Sequence, residues 1–186
     1  MQYGIKSISM DEVARNLGIS KKTLYQHVNN KADLIQKVML THITEEKEAM
    51  IIIHKSAKDA IDEMMQISKH VSELLQRVNP TVIYDLQKYY AKGWELMESL
   101  HFEHTYRSIK ENIENGMQQG LYRPNLNADI IAKLYIGRID LVVDKNLFPV
   151  GEYTISQIHK NAMTYHLYGI MTTQGIELFE KYNISN

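Results

Sequence analysis

The sequence predicts an all-α protein with a small N-terminal head and a larger helical body. Apolar residues recur at helical spacing along most stretches between turns, as on the buried face of an amphipathic helix. Two capping boxes, Ser9-x-x-Glu12 and Thr154-x-x-Gln157, mark helix starts near opposite ends of the chain. We place the boundary between a head of residues 1–42 and a body of residues 43–186.

Composition excludes several classes of protein. The 186 residues include no cysteine, which excludes disulfides and any metal site built on thiolates. No secretory signal is visible at the start, and the apolar run Met50–Ile53 is far too short to cross a membrane. These features predict a cytoplasmic protein that has no membrane partner.

Charge is divided unevenly along the chain. The first 37 residues contain six Lys and Arg but three Asp and Glu, so this part carries +3 and the rest −4. A basic head on an acidic body favours a polyanionic partner for the head.

The head has the pattern of a helix-turn-helix. Its first helix has an apolar face formed by Met10, Val13, Ala14 and Leu17. Gly18 ends this helix, because glycine accepts a left-handed conformation at little cost. Ile19 is expected to be a buried plug in the turn, and Ser20 to cap the second helix, Lys21–Val28.

The second helix has few apolar side chains, and only Leu24 and Val28 are spaced to face inward. Side chains left for solvent or a partner are those of Lys21, Lys22, Thr23, Tyr25, Gln26 and His27. Such groups on a recognition helix read base edges in the major groove and bind phosphates. Asn30 caps a third helix, where Lys31 lies in position for a phosphate. The alternative is a polar surface on a small helical packing unit.

Three elements of this block carry a family resemblance: Tyr3-Gly4 with Ser7 and Ser9, then Ala14, Gly18 and Ser20, and the run TLYQHVNNKADL at residues 23–34. The block resembles the DNA-binding head of the TetR family of bacterial transcriptional repressors, closely over about the first 45 residues and beyond them only in architecture. The resemblance implies DNA contacts by Lys21, Lys22, Thr23, Tyr25, Gln26, His27 and Lys31. Of these, Tyr25 and Lys31 would lie mainly on phosphate.

The chain departs from the family pattern at its start. In the family a first helix precedes the Tyr-Gly element and packs across the other two, whereas here Tyr3 lies close to the first residue. A gene start placed at an internal methionine or a shortened chain would explain this. We expect the apolar face of such a head to be partly uncovered and its DNA binding to be weakened.

Apolar periodicity predicts the helices of the body: Lys31 to about His54, Ser56–Val78, Thr81 to about Leu100, Glu103–Gln119, Asn127–Asp144, Ile155–Thr173 and Gly175–Tyr182. In the family the central helices line a regulatory pocket for a small molecule. Here an adaptable apolar cavity would be formed by Met64, Met65, Tyr89, Trp94, Met97, Phe102 and Tyr106. Each of these residues taken alone is more typical of an ordinary core position than of a ligand contact.

Helices 127–144 and 155–173 are apolar around most of their circumference, which implies a second buried contact besides packing within the subunit. They resemble the four-helix dimer interface of the family. A homodimer would present two heads to the two half-sites of a pseudo-palindromic operator. Arg138 and Asp140 lie inside this apolar stretch and need partners. An interface or neighbouring residues would provide these partners as well as a ligand would.

Neither a nucleophile motif nor a phosphate-binding glycine loop is present. The cluster His101-Phe102-Glu103-His104 has metal-like content but no third ligand placed by sequence. We therefore expect no enzyme, no metal and no cofactor. The sequence predicts a ligand-responsive transcriptional regulator, a repressor that binds double-stranded operator DNA as a dimer and an unknown effector. The alternatives are a small-molecule binding or protein-interaction module without DNA binding, and an enzyme on a helical scaffold.

Overall fold

A computed structural model describes residues 4–77, 80–144, 146–149 and 151–184. Within these ranges the chain is helical and has no β-strand, apart from one isolated bridge between Tyr122 and Met171. The predicted all-α class is confirmed. Of the helices in the described part of the chain, none combines the length and apolar character needed to cross a bilayer.

The helices are α1 Met10–Asn16, α2 Lys21–His27, α3 Lys31–Ser56, α4 Ala60–Arg77, α5 Pro80–Tyr89, α6 Ala91–Leu100, α7 Tyr106–Gln118, α8 Ala128–Val143, α9 Ile155–Ile170 and α10 Thr173–Ile184. A 3-10 turn at Ile5–Ser7 precedes α1, and a π-helical turn at His101–Thr105 precedes α7.

The predicted helix starts are confirmed by their caps. The side chains of Ser9, Ser20, Asn127 and Thr154 each accept a hydrogen bond from the backbone N–H three residues further on. A cap of this kind stabilises a helix by about 1 kcal/mol. Gly18 has a φ of 67°, the left-handed conformation expected after α1.

Two apolar residues of the head are exposed. Leu17 is 61% exposed, which agrees with the expectation that the apolar face of the head is partly uncovered. Ile19 is 36% exposed, so the prediction that it is a buried plug was wrong. The small core of the head is formed by Ala14, Leu24 and Val28. Leu17 is the C-cap of α1, a helix of only seven residues.

The single helix predicted for Thr81 to Leu100 is two helices, α5 and α6, which meet at Tyr90. The carbonyl of Tyr90 accepts from the N–H groups of Gly93 and Trp94 and so begins α6. A Cβ on Gly93 would lie 3.2 Å from Leu86 Cδ1, so glycine allows α6 to approach α5 closely.

Contacts divide the chain into two units that do not follow chain order. The head unit contains Met1–Glu46 and Arg77–Leu100, and the body unit contains Lys47–Gln76 and His101–Asn186. The predicted boundary between residues 42 and 43 lies close to the first crossing. However, α5 and α6, predicted for the body, pack with the head.

The core of the body unit surrounds α4 and α7. Ile61, Met64, Ile109 and Ile113 are fully buried there, together with Tyr122. A Cβ on Gly116 would overlap the ring of Tyr122, so only glycine lets this ring lie against α7.

Candidate functional site

The N-terminal cap of α2 and two buried side chains fix the orientation of its exposed face. The Ser20 hydroxyl accepts from the Thr23 N–H at 3.0 Å and lies 2.8 Å from the Thr23 hydroxyl. Leu24 and Val28 are buried against α1. The remaining predicted DNA-binding residues of this helix are exposed, namely Lys21, Lys22, Tyr25, Gln26 and His27. The helix thus presents five polar or charged side chains, and the hydroxyl of Thr23 belongs to the cap.

Lys21 forms an ion pair with Asp11 across the turn, with Nζ 2.8 Å from Oδ1. This hydrogen bond raises the pKa of Lys21. Both side chains are more than half exposed, so the pair is screened by salt and contributes little to stability. The ammonium group can exchange this carboxylate for a phosphate of a nucleic acid.

Lys31 has an intramolecular role in this structure. Its ammonium group donates to the main-chain oxygens of Lys6, at 3.3 Å, and of Ile8. Burial lowers the pKa of Lys31. The side chain therefore ties the N-terminal turn to the start of α3, and its contact with phosphate stays a prediction.

Asp33 and Lys37 support α2, and the sequence analysis did not single them out. Lys37 Nζ donates to the carbonyl of His27 at 2.6 Å. This hydrogen bond gives a partner to a carbonyl at the C-terminal end of α2. The Asp33 carboxylate accepts from the Asn29 N–H at 2.7 Å, which lowers the pKa of Asp33. The two side chains also form an i,i+4 ion pair, and that spacing was the signal available in the sequence.

A second group of contacts joins α5 to the N-terminal turn of the head unit. The buried Asp85 carboxylate accepts from the Lys6 N–H at 2.8 Å. The Lys6 ammonium lies 4.2 Å from the centre of the Tyr89 ring. A Cβ on Gly4 would overlap Asp85 Oδ2, so the backbone approaches this carboxylate closely. A lone acid among apolar residues of α5 was the only sequence signal for this contact.

The residues predicted to bind an effector are distributed over both units. In the body unit Met64 is fully buried, Met65 is partly buried, and the partly buried Tyr106 donates to Asp129. In the head unit Tyr89 is 42% exposed, whereas Trp94 and Met97 are partly buried. The side chain of Phe102 lies outside the described residues. The effector pocket therefore stays a prediction.

The body unit has a small polar cavity of about 110 Å³ that contains none of the predicted effector residues. It is lined by His54, Ala57, Lys58, Asp59, Ala60, Glu63, Asn115 and Gln119. Ligand pockets are typically several times larger, about 300–1,000 Å³. Glu63 also accepts hydrogen bonds from Asn112 and pairs with His54, which indicates a structural polar network.

A positive charge lies between α8 and α9. Arg138 donates to the carbonyl of Ala162 at 3.1 Å and to Met163 Sδ at 3.8 Å. Its guanidinium carbon lies 3.8 Å from the centre of the Tyr135 ring. Burial, and then the charge of Arg138, lower the pKa values of His159 and His166 to about 4. The Nε2 atom of His166 is buried and has no hydrogen-bond partner within the described part of the chain.

The other faces of α8 and α9 carry exposed apolar side chains. On α8, Ile130, Leu134 and Leu141 are 53%, 65% and 53% exposed, and their spacing places them on one side. On α9, Tyr165 and Tyr168 are 85% and 45% exposed. Exposed apolar side chains grouped on two neighbouring helices are typical of a protein interface.

The N-terminal 38 residues match the family model described as "Bacterial regulatory proteins, tetR family". Similar proteins include the HTH-type transcriptional regulator YvaF of Bacillus subtilis (strain 168), 26% identical over 152 residues, which cover 78% of this chain and 79% of that protein. The HTH-type transcriptional regulator YhgD of the same organism is 26% identical over 150 residues, covering 74% and 75% of the two chains.

Solved structures share the fold of about nine tenths of the chain. A TetR-family regulator from Agrobacterium tumefaciens superposes with a TM-score of 0.71 at 14% identity, covering 91% of this chain and 90% of that one. FadR from Bacillus subtilis in complex with stearoyl-CoA gives 0.64 at 17% identity, with 90% and 91% covered. A transcriptional regulator from Saccharomonospora viridis in complex with choline gives 0.68 at 16%, with 92% and 91% covered. The likeness predicted from the sequence is confirmed.

Proposed function

Because this chain is a TetR-type transcriptional regulator by the match of its head and by its fold, we propose that it binds a pseudo-palindromic operator as a homodimer and represses transcription until an effector binds the body. The observation that carries the proposal is the polar face of α2, whose exposed side chains serve no packing role. Operator DNA as the partner implies a cytoplasmic protein.

On this proposal α2 lies in the major groove. Gln26 reads a base edge, as a side-chain amide does when it binds adenine through two hydrogen bonds. Tyr25, Lys21, Lys22 and His27 surround it, and they bind phosphate or neighbouring bases. Lys31 and Thr23 join these contacts only if DNA displaces their present hydrogen bonds.

Two copies are proposed to meet through α8 and α9. Five large apolar side chains on these helices are exposed in a single copy. Gly137 and Gly169 lie close to them in sequence, and a Cβ at either glycine would meet nothing within 4 Å. Pairing these faces in two copies would bury the apolar side chains in a four-helix arrangement and present two α2 helices to two half-sites.

The effector is proposed to act by shifting a population of conformations. Some structural neighbours were solved with small molecules, stearoyl-CoA in one case and choline in another, which supports a small molecule as effector class. The segment that contains α5 and α6 packs with the head, yet it lies in sequence between two stretches of the body. To change operator occupancy from 99:1 to 1:99, the effector must bind the released conformation about 10⁴-fold more tightly.

The test uses the full chain and DNA from upstream of its own gene, with binding followed by fluorescence anisotropy at several salt concentrations. We expect affinity to fall steeply with salt, because each phosphate contact releases counterions. Lys22→Gln should weaken binding and reduce the salt slope by about 1. The matched control is Lys55→Gln, an exposed lysine of the body unit, which should leave both unchanged.

A second candidate is a small-molecule binding module that does not bind DNA. It is favoured by Lys31 and Thr23, because both side chains already have partners within the head. A chain that bound no upstream DNA at low salt, although folded and dimeric, would favour this candidate over the first.

A further inference from the structure

We infer that the body unit binds an organic anion, a carboxylate or phosphate on an apolar body, at Arg138 between α8 and α9. This inference rests on the proposed function, because it names the chemical class of the effector. The geometry that carries it is a set of polar groups from three helices, namely Ser68 on α4, Arg138 on α8, and His159 and His166 on α9.

Arg138 carries a positive charge. Burial lowers the pKa of its guanidinium, yet an arginine in a protein keeps its proton. A positive charge therefore remains between α8 and α9. A charge removed from water is unfavourable unless an opposite charge or several good acceptors replace the lost hydration.

Arg138 contacts a main-chain carbonyl, a thioether sulfur and the face of the Tyr135 ring. None of these groups carries a negative charge, and no carboxylate forms an ion pair with Arg138 within the described ranges. The side chain of Asp140 lies outside the described residues.

The histidines near Arg138 are neutral at neutral pH. The pKa values of His159 and His166 are lowered to about 4, so their rings do not add to the positive charge of Arg138. The Ser68 hydroxyl lies 3.5 Å from His159 Nε2, a long contact. The buried Nε2 of His166 has no partner at all in the described part. An anion beside Arg138 would provide both a counter-charge and an acceptor for an N–H at this nitrogen.

The apolar core of the body includes Ile67, Tyr135, Met163 and Leu167. Of these, Tyr135 and Met163 contact Arg138. Methionine adapts to different shapes, and none of these side chains offers a second charge to recognise. A guanidinium binds a carboxylate or a phosphate with two parallel hydrogen bonds. These neighbours of Arg138 favour a ligand with one anionic group attached to an apolar body.

The experiment uses three probes that share an alkyl chain, namely sodium decanoate, decyl phosphate and decanol, each below its micelle concentration. Binding to the full chain is measured by calorimetry. We expect at least one anion to bind at least tenfold more tightly than decanol. Arg138→Met should remove this preference, because it keeps an apolar stem but loses the charge. The matched control is Lys133→Met, an exposed lysine on the same helix, which should keep the preference.

Two measurements separate a binding role from a structural one. Without ligand, Arg138→Met should unfold at the same temperature as the wild type or higher, because a partly buried charge with no opposite charge beside it is removed. If this variant does not fold, nuclear magnetic resonance of the wild type decides. Decanoate or decyl phosphate should then shift the ring resonances of His159 and His166, and unshifted rings would overturn the inference.

The inference is also overturned if the wild type shows no preference for either anion over decanol, or if Arg138→Met keeps that preference. A weaker dimer in Arg138→Met would assign the counter-charge to a second copy of the chain and overturn the effector site. Separate measurements of DNA binding and of anion binding distinguish a failure of this inference from a failure of the proposed function. A chain that binds DNA but no anion contradicts only the anion site, whereas a chain that binds decanoate but no DNA contradicts only the proposed regulator.

Discussion

The main-chain N–H of Lys6 donates to Oδ2 of Asp85 at 2.8 Å, although the two residues are 79 positions apart in the chain. The carboxylate is buried on α5, and it receives the backbone of the turn that precedes α1. This bond joins the middle of the chain to the proposed DNA-binding head.

Asp85→Ala should destabilise the head unit, because it removes an acceptor that carries charge. A hydrogen bond to a charged group contributes about 1.5–3 kcal/mol, so the free energy of unfolding should fall by about this amount in urea. Gln87→Ala, an exposed change on the same helix, is the control and should cost much less. Equal stability of the two variants would contradict a role for the Asp85 bond.

Gly4→Ala should also destabilise the head, because its Cβ would overlap Asp85 Oδ2 and lie 2.7 Å from Thr81 Cγ2. Overpacking of this kind costs about 1–3 kcal/mol. In the double variant with Asp85→Ala the overlap with the carboxylate disappears. The double variant should therefore lose less free energy of unfolding than the two single variants lose together. Strict additivity in a double-mutant cycle would show that Gly4 and Asp85 do not interact.

Asn112→Leu should destabilise the body unit more than Tyr122→Phe. The Asn112 amide donates to Glu63 Oε2 at 2.7 Å and to the carbonyl of Ala60 at 2.9 Å. Its loss leaves a buried carboxylate short of a donor, at a cost of at least about 2 kcal/mol. Tyr122→Phe removes a hydroxyl whose one hydrogen is shared between the carbonyl of Ala60 and Oδ1 of Asn112, and it should cost about 1 kcal/mol. Urea unfolding in which the order is reversed would contradict this ranking.

The stability of the body should fall as the pH drops from about 6.5 to about 4. His159 and His166 have folded-state pKa values lowered to about 4, against 6.5 when exposed. Between these values the unfolded chain binds more protons, so their contribution is fully present above pH 6.5 and is lost towards pH 4. Urea unfolding at several pH values measures this loss.

His166→Phe should reduce the loss of stability between pH 6.5 and pH 4, because it removes one of the two rings. His27→Gln, a change of an exposed histidine in the head, is the control. An unchanged pH dependence in His166→Phe would show that protonation of this ring does not contribute.

Leu134→Glu should abolish dimerisation without unfolding the subunit. Leu134 is 65% exposed in one copy, so a glutamate there is tolerated by the monomer but not by a paired apolar face. We expect sedimentation to show two copies for the wild type and one for the variant, with unchanged helical circular dichroism and weaker operator binding. Lys160→Glu, on an exposed position of α9, serves as the control. A dimeric Leu134→Glu would place the interface elsewhere.

The sequence by itself determined most of the helices, several of their caps and the type of head. These features depend on residues a few positions apart: the Ser9 and Thr154 capping boxes, the left-handed Gly18 and the spacing of apolar residues. A side chain that bonds to the backbone three residues on is visible in the order of residues. The polar face of α2 was predictable because it also depends on residues a few positions apart in one helix.

Only the tertiary structure decided which distant residues meet. It assigned α5 and α6 to the head, placed Lys31 on main-chain carbonyls, exposed Leu17 and left Arg138 without a described counter-charge. Each outcome depends on how helices pack. Hydrophobic burial has no direction, so a periodic pattern shows which face is apolar but not which helix covers it. The two units, and the contact of Lys6 with Asp85, are consequences of that packing.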